Sequence, residues 1–283
     1  KICKILLVIL AIFLCVAFYE LLGICVAYKK QPEVSNTTKK ETKNGSWNEC
    51  SENTERAVII EKNPEALLQR VRLIKNAKKE IILSTFAFQS DESGKLILGA
   101  LHDAADRGVH IRLLVDGMES WIDMEGNPYF YGLSSHENVE IKLYNKANPL
   151  KPWKIMGRMH DKYLIADGKR YILGGRNTYN YFLGDFPGHK NYDRDVLVVC
   201  DEPEKENSVN QLLEYFETIW EQEDSDYFHD NKKLANRKSV KNAVLELKNG
   251  YQKYFEENKE RICDTDYTDE TFETEKIALV SNP

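Results

Sequence analysis

His160, Lys162 and Asp167 lie in the run Met159-His-Asp-Lys-Tyr-Leu-Ile-Ala-Asp-Gly168, which continues as Lys169-Arg-Tyr-Ile-Leu-Gly-Gly-Arg-Asn177. The spacing is His-x-Lys, four residues, Asp, six residues, then Gly-Gly-x-Asn. Side chains alternate across a strand, so an extended run from Arg158 to Ala166 puts His160 and Lys162 on one face. A neutral imidazole beside an ammonium can attack phosphorus while the cation holds the phosphoryl oxygens. Gly174 and Gly175 would let backbone approach a ligand, and Asn177 can add an amide donor. Candidate phosphate binders are therefore Lys162, Gly174, Gly175 and Asn177.

The flanking sequence supplies the elements that position these groups. Pro64 sits at a helix start, and Leu67, Leu68, Val71 and Ile74 form a helical stripe through Lys78. Glu80–Phe88 is a strand-forming run. Ser93–Arg107 reads as a helix ended by Gly108. Val109–Val115 and Val139–Tyr144 are further strands. Arg158–Ala166 and Arg170–Leu173 pair around the turn Asp167-Gly168. Asp195–Val199 is a strand, and Val209–Trp220 is a helix with Leu212, Leu213, Phe216 and Ile219 inward. Alternation followed by a hairpin implies an α/β domain with a mixed β-sheet flanked by helices. The loop Asn180–Lys190 either caps the cleft, dips into lipid or packs on the surface. Tyr129–Tyr131 reads as core or as a lipid-facing patch, with core favoured.

Ile5–Ala27 is apolar apart from Glu20, about 35 Å as a helix, enough to span a bilayer. It reads as an uncleaved single-pass anchor; a cleaved secretory signal is the competing reading. Five lysines after the span favour its C-terminal side as cytoplasmic. The expected organisation is an anchor over 1–28, a flexible linker over 29–56 containing two glycosylation-type sequons, and a catalytic lobe over 57–225. A charged helical connector over 226–275, helical from Leu234 to Tyr254, follows. Residues 276–283 read as a strand opening a second lobe, so the native chain is expected to continue. The first residue, Lys1, suggests a trimmed N-terminus.

The chain's formal net charge is −6, and beyond the anchor the excess is nine acidic groups. That weighs against dedicated DNA binding, which depends on neutralising phosphates. Lys142–Arg176 nevertheless carries nine basic and two acidic residues, the signature of a cleft for an anionic headgroup or membrane surface. Six scattered cysteines include no Cys-x-x-Cys pair, so neither a zinc site nor a disulfide framework is indicated.

The motif resembles the HKD motif of the phospholipase D superfamily, in the form seen in cardiolipin synthases and related phosphatidyltransferases. The stretch Ala104–Asp116 resembles the first half of that fold, and the likeness covers roughly residues 60–225. The resemblance implies a membrane-anchored phosphodiesterase or phosphatidyltransferase acting on an anionic glycerophospholipid through a phosphohistidine, with neither metal nor cofactor. In that family two such motifs face each other, one histidine attacking phosphorus and the other protonating the leaving alcohol. Which of these His160 does is left open. Here His102, His110, His136, His189 and His229 lack a lysine two positions later; His110, followed by Arg112, comes nearest. The second half is expected from a longer chain, or else from a homodimer. Asp193 matches the family's acidic position after the Gly-Gly-x-Asn turn and is the expected imidazole partner, with Asp195 as fallback. Asp161 is set aside because it would face the other side of the strand. Asp167, though part of the motif, is expected to tie the hairpin turn. Two other readings remain: a single-motif homodimeric nuclease-type phosphodiesterase, and a non-catalytic membrane scaffold.

Overall fold

The computed structural model describes residues 2–29, 39, 55–148, 150–200, 207–229, 233–274 and 277–279. The expected linker and its sequons lie almost entirely outside the described residues. The first element, α1 (Ile2–Lys29), is apolar on all sides. Its segment Ile2–Ala27 has a mean hydropathy of 2.9 and is long and apolar enough to cross a membrane; a signal sequence passes the same test.

Among the described residues the lobe is built on nine strands: β1 (Glu55–Ile60), β2 (Glu80–Thr85), β3 (His110–Asp116), β4 (Val139–Tyr144), β5 (Lys162–Ala166), β6 (Arg170–Gly174), β7 (Asp195–Val199), β8 (Ser225–Tyr227) and β9 (Phe272–Thr274). Their order across the sheet is β8-β4-β3-β2-β5-β6-β7-β1-β9. β2, β3 and β4 run parallel and the other pairs are antiparallel, so the sheet is mixed as expected. The helices with described bounds are α1, α2 (Asn63–Asn76), α3 (Glu92–Asp106), α4 (Gly117–Asp123), α5 (Pro128–Ser134), α6 (Ser208–Trp220), α7 (Lys238–Glu257) and α8 (Lys259–Cys263).

Period-two alternation divides the strands between two cores. Ile81, Leu83, Leu113, Leu164, Ile172 and Leu197 join the cluster that includes residues of α2, α3, α5 and α7. Ile82, Leu114, Tyr163, Ile165, Tyr171 and Val198 join the cluster that includes residues of α6. Both faces are covered, which explains why these strands read as nearly continuous apolar runs. Pro64 occupies the first turn of α2, and Leu67, Leu68, Val71 and Ile74 are buried there. Phe130 and Tyr131 are buried, and Phe182 and Leu183 fix much of the 180–190 loop onto the core.

Several boundaries differ from the sequence reading. β2 stops at Thr85, because the chain beyond it turns toward Thr178 and Asn177. β5 starts at Lys162, not Arg158. Its ladder with β2 ends at Thr85↔Lys162, while Met159 N–H and the Arg158 side chain are bound to Asp116. His160 and Asp161 therefore lie in irregular chain.

The described parts of 226–275, expected as a connector, pack against the lobe. β8 pairs with β4 and β9 with β1 at opposite sheet edges. The helix runs Lys238–Glu257 after a short 3-10 turn at Leu234–Asn236, and buries Val240, Ala243, Leu247, Tyr251 and Phe255. A β-carbon on Gly99 of α3 would lie 2.7 Å from the Leu247 carbonyl oxygen, so glycine lets α3 and α7 cross this closely. The high charge of α7 lies on its outer face, which masked the apolar stripe facing inward. The described residues 277–279, expected in a strand, are in none; Leu279 N–H instead donates to Gln211 Oε1 on α6.

Asp167 sits in the β5–β6 turn at φ +55°, followed by Gly168 at φ +63°, the backbone of a primed hairpin turn. Its carboxylate accepts the backbone N–H groups of Lys78 (2.8 Å), Lys79 (2.7 Å) and Glu80 (3.0 Å), pinning the hairpin to the start of β2. Asp167→Ala is expected to cost about 1–2 kcal/mol, since the partly exposed donors recover water. Turnover per folded molecule should stay near wild type. Urea melts alongside rates on the folded fraction check this; a lost rate at unchanged stability would place Asp167 in the chemistry.

Candidate active site

Of the motif residues, His160, Lys162 and Gly174 come together where β5 and β6 meet α6. His160 projects from the irregular segment before β5, and its exposed ring lies edge-on to Phe86, centroids 4.7 Å apart. Arg158 (4.9 Å) and Lys162 (5.2 Å) also lie over the Phe86 ring, so all three cationic or titratable groups contact it. Lys162 is buried, and its Nζ donates to the His160 carbonyl oxygen at 2.7 Å.

Electrostatics favour a neutral imidazole. Partial burial of the His160 ring lowers its pKa, and the Lys162 ammonium pushes the same way, against Asp161 and Asp116. Burial depresses the Lys162 ammonium to about 8, opposed by the charges of Asp161 and Asp193. Asp161, half-buried, has its carboxyl raised by burial and accepts Tyr215 O–H at 2.9 Å. Burial and the Asp161 charge raise Tyr215 in turn.

These groups open onto a cavity of about 610 Å³. Its polar wall comes from Arg158, His160, Asp161, Lys162, Tyr144 and Tyr215; Leu173, Leu212, Ile219 and Leu279 make the apolar one. Gly174 lines it; Gly175, Asn177, Asp193 and Asp167 do not. Asp167 is five strand residues from Lys162, about 16 Å at the usual rise.

The glycine pair answers to packing as much as to any ligand. A β-carbon on Gly174 would fall 2.2 Å from Asp195 Oδ1, and one on Gly175 would fall 2.1 Å from Asp193 Oδ2. Asn177 is buried, with Oδ1 accepting Ala87 N–H at 3.2 Å. The Asp193 carboxylate accepts the N–H of Arg194, and no hydrogen bond joins it to His160. Residues 191–194 are irregular, so the carboxylate folds onto its own backbone. Asp195 is fully buried between Arg70 (2.9 Å) and Arg176 (3.2 Å) and is not an imidazole partner.

Most of the basic run serves the fold. Lys142 caps the Trp220 carbonyl, Lys154 pairs with Asp224, Arg170 stacks on Tyr267 and Arg176 meets Asp195. Of the nine cations, Arg158 and Lys162 line the cavity.

Sequence reasoning missed four residues here. Asp161 reaches the cavity because the strand begins after it. Phe86 and Tyr215 arrive through tertiary packing and carry no sequence signal. Asp116 orders the segment before His160: it caps α4 and holds both Arg158 and the Met159 N–H. The strand-closing pair Asp116-Gly117 was its available signal. Among the described residues, one group has metal-ligand chemistry, His102, Asp106 and His136. None of the three lines this cavity. The Lys248 ammonium stands 2.7 Å from Asp106 and His136 Nδ1 accepts Asn138 N–H, while His102 Nδ1 is buried without a hydrogen-bond partner.

Over residues 70–220 the chain matches the protein family described as cardiolipin synthase, PLD-like domain. It is 30% identical over 212 residues to an uncharacterized Helicobacter pylori protein, a match covering 70% of this chain and 39% of that one. It is 29% identical over 171 residues to cardiolipin synthase C of Escherichia coli, covering 56% and 34%. The chain thus spans well under half the length of these curated relatives. Its fold is similar to that of phosphatidylserine synthase from Haemophilus influenzae, with a TM-score of 0.51 and 16% identity, covering 76% of this chain and 48% of that one.

Proposed function

Because the chain belongs to the cardiolipin synthase, PLD-like domain family of the phospholipase D superfamily, we propose that it is the first catalytic lobe of a membrane-anchored phosphatidyltransferase or phospholipase D-like hydrolase. The substrate class is anionic glycerophospholipid. The observation that carries this reading is the exposed His160 imidazole, its pKa lowered by burial and by Lys162, beside the buried Lys162 side chain at one cavity.

In the proposed reaction an imidazole nitrogen of His160 attacks phosphorus, forming an N–P bond as the P–O bond to the leaving alcohol breaks. Lys162 neutralises the non-bridging oxygens. A histidine from a second His-x-Lys motif protonates the departing alkoxide, then removes the proton from the water or alcohol that cleaves the N–P bond. A following lobe is the preferred donor of that motif, supported by the greater length of the relatives; a second copy of the chain is the other source. The helix α1 serves as the anchor that holds the cavity at the bilayer surface.

This reading gives a bell-shaped pH profile for kcat/KM. The acid limb lies below the ordinary imidazole range, since attack needs neutral His160. The alkaline limb lies near 8, where Lys162 loses its charge. Lys162→Arg should remove the Lys162 contribution near 8 from that alkaline limb, because guanidinium stays protonated, leaving the limb set by the second motif's histidine. Assays across pH on phosphatidylglycerol vesicles, paired with single-stranded DNA as competing substrate, test it. Phosphodiester cleavage of DNA alone would replace the lipid reading with a nuclease, and a flat profile would remove the His–Lys assignment.

A further inference from the structure

The helix α1 seats on the lobe at the 152–156 turn, beside the cavity. Tyr19 meets Trp153 edge-on at 5.1 Å and donates its hydroxyl to the Leu150 carbonyl. Gly23 is so close that a β-carbon would lie 2.1 Å from the Trp153 ring. The same turn exposes Leu150 (76%) and Met156 (79%). The neighbouring α4 exposes Trp121 (61%) and Ile122 (60%). α4 abuts this segment through Gly117, packed on the Tyr144 and Asn145 carbonyls, and through the Glu119–Arg158 pair at 2.9 Å. Isolated exposed apolar residues are ordinary, but a group of large ones on neighbouring segments marks an interaction surface, and Arg158, which lines the cavity, is two residues beyond Met156.

The seat of α1 says what covers it. Gly23 and Tyr19 precede Lys29, the end of the helix, by six and ten residues, about 9 and 15 Å at 1.5 Å per residue. Trp153 therefore packs inside the C-terminal leaflet of a span ending at Lys29, below the headgroup boundary. Exposed Lys151, between Leu150 and Trp153, suits an anionic headgroup. We propose that the 150–156 turn, with Trp121 and Ile122 of α4, is a lipid-docking face that beds the cavity mouth in the bilayer surface. The proposal rests on the reading of α1 as a membrane segment, not on the catalytic roles.

The test places an environment-sensitive fluorophore at Leu150→Cys, Met156→Cys or Glu260→Cys in the full chain, with native cysteines changed to alanine. The protein is reconstituted in phosphatidylcholine–phosphatidylglycerol vesicles whose acyl chains carry nitroxide quenchers. Loss of most emission at 150 and 156, with none at the exposed control on α8, is expected. Emission at 150 and 156 matching the control would overturn the docking face. Emission shielded from water yet unquenched by lipid would also overturn it, assigning the face to a protein partner. Release of the chain by alkaline carbonate would overturn the anchor and the docking face together. Lipid quenching without turnover would keep the face and remove the catalytic reading.

Discussion

His160→Ala lowers turnover by at least about a thousandfold, roughly 4 kcal/mol of barrier, while leaving the unfolding midpoint nearly unchanged. The two halves of this expectation have separate grounds. In the proposed mechanism the imidazole forms the covalent bond to phosphorus, and no neighbouring group can replace it. Lys162 is an ammonium, Asp161 is held by Tyr215, and Arg158 is paired with Asp116 and Glu119. The ring is also exposed, hydrogen-bonds to nothing among the described residues and touches Phe86 by an edge. Its removal should therefore change stability by no more than about 0.5 kcal/mol, the usual range for a surface side chain. Lys162→Ala should lose nearly as much rate. It too should fold, because burial already penalises that charge. Retention of more than about a tenth of the wild-type rate by His160→Ala, about 1.4 kcal/mol, would remove the nucleophile assignment.

Asp195→Asn produces the largest expected loss of stability, about 3–5 kcal/mol. The carboxylate is the shared counter-ion of two buried guanidiniums, Arg70 at 2.9 Å and Arg176 at 3.2 Å. Neutralising it strands both cations in the core. Arg176 keeps the carbonyls of Ile60 and Glu61 and the side chain of Asn63, and Arg70 keeps the Ala66 carbonyl. Those neutral acceptors solvate the arginines without cancelling their charge. Against a total of about 5–15 kcal/mol for a domain, the loss brings the lobe close to unfolding. Denaturant melts of Asp195→Asn, Arg176→Met and the double variant measure it. The double variant should lose less than the sum of the singles, since it removes one stranded charge with its partner. A loss under about 1 kcal/mol in Asp195→Asn would contradict the ion-pair role.

The sheet was legible where side-chain alternation was strong. β3, β4 and β7 fall within a residue of their expected bounds, and the α2 stripe is buried as its spacing required. The placement of His160 and Lys162 was legible as well, because His-x-Lys spacing brings both groups to one cavity even though a strand does not do it. What failed was inference from a strand that was assumed to begin too early. The Asp116 hydrogen bonds hold 158–159 off the ladder, so face alternation missed Asp161 at the cavity, although its carboxylate pairs with Tyr215 and not with His160. Charge counting failed for a related reason: a sequence lists cations without their partners, and most of those between 142 and 176 are bound to carboxylates, carbonyls or rings. The glycines of the Gly-Gly-x-Asn turn were read as room for a ligand. Asp193 and Asp195 occupy much of that room, a contact across sequence that local spacing cannot reveal. The region 226–275 hid its role because a helix with one buried stripe and three charged faces has the composition of a solvated linker.

The direct test of the central claim is a trapped covalent intermediate. The full-length protein is incubated with phosphatidylglycerol, quenched at alkaline pH where phosphoramidate bonds survive, digested and read by mass spectrometry. The expected result is a phosphoryl-linked adduct on the peptide containing His160, absent from His160→Ala. Sustained turnover with the adduct on another residue, or with none on His160, would contradict it.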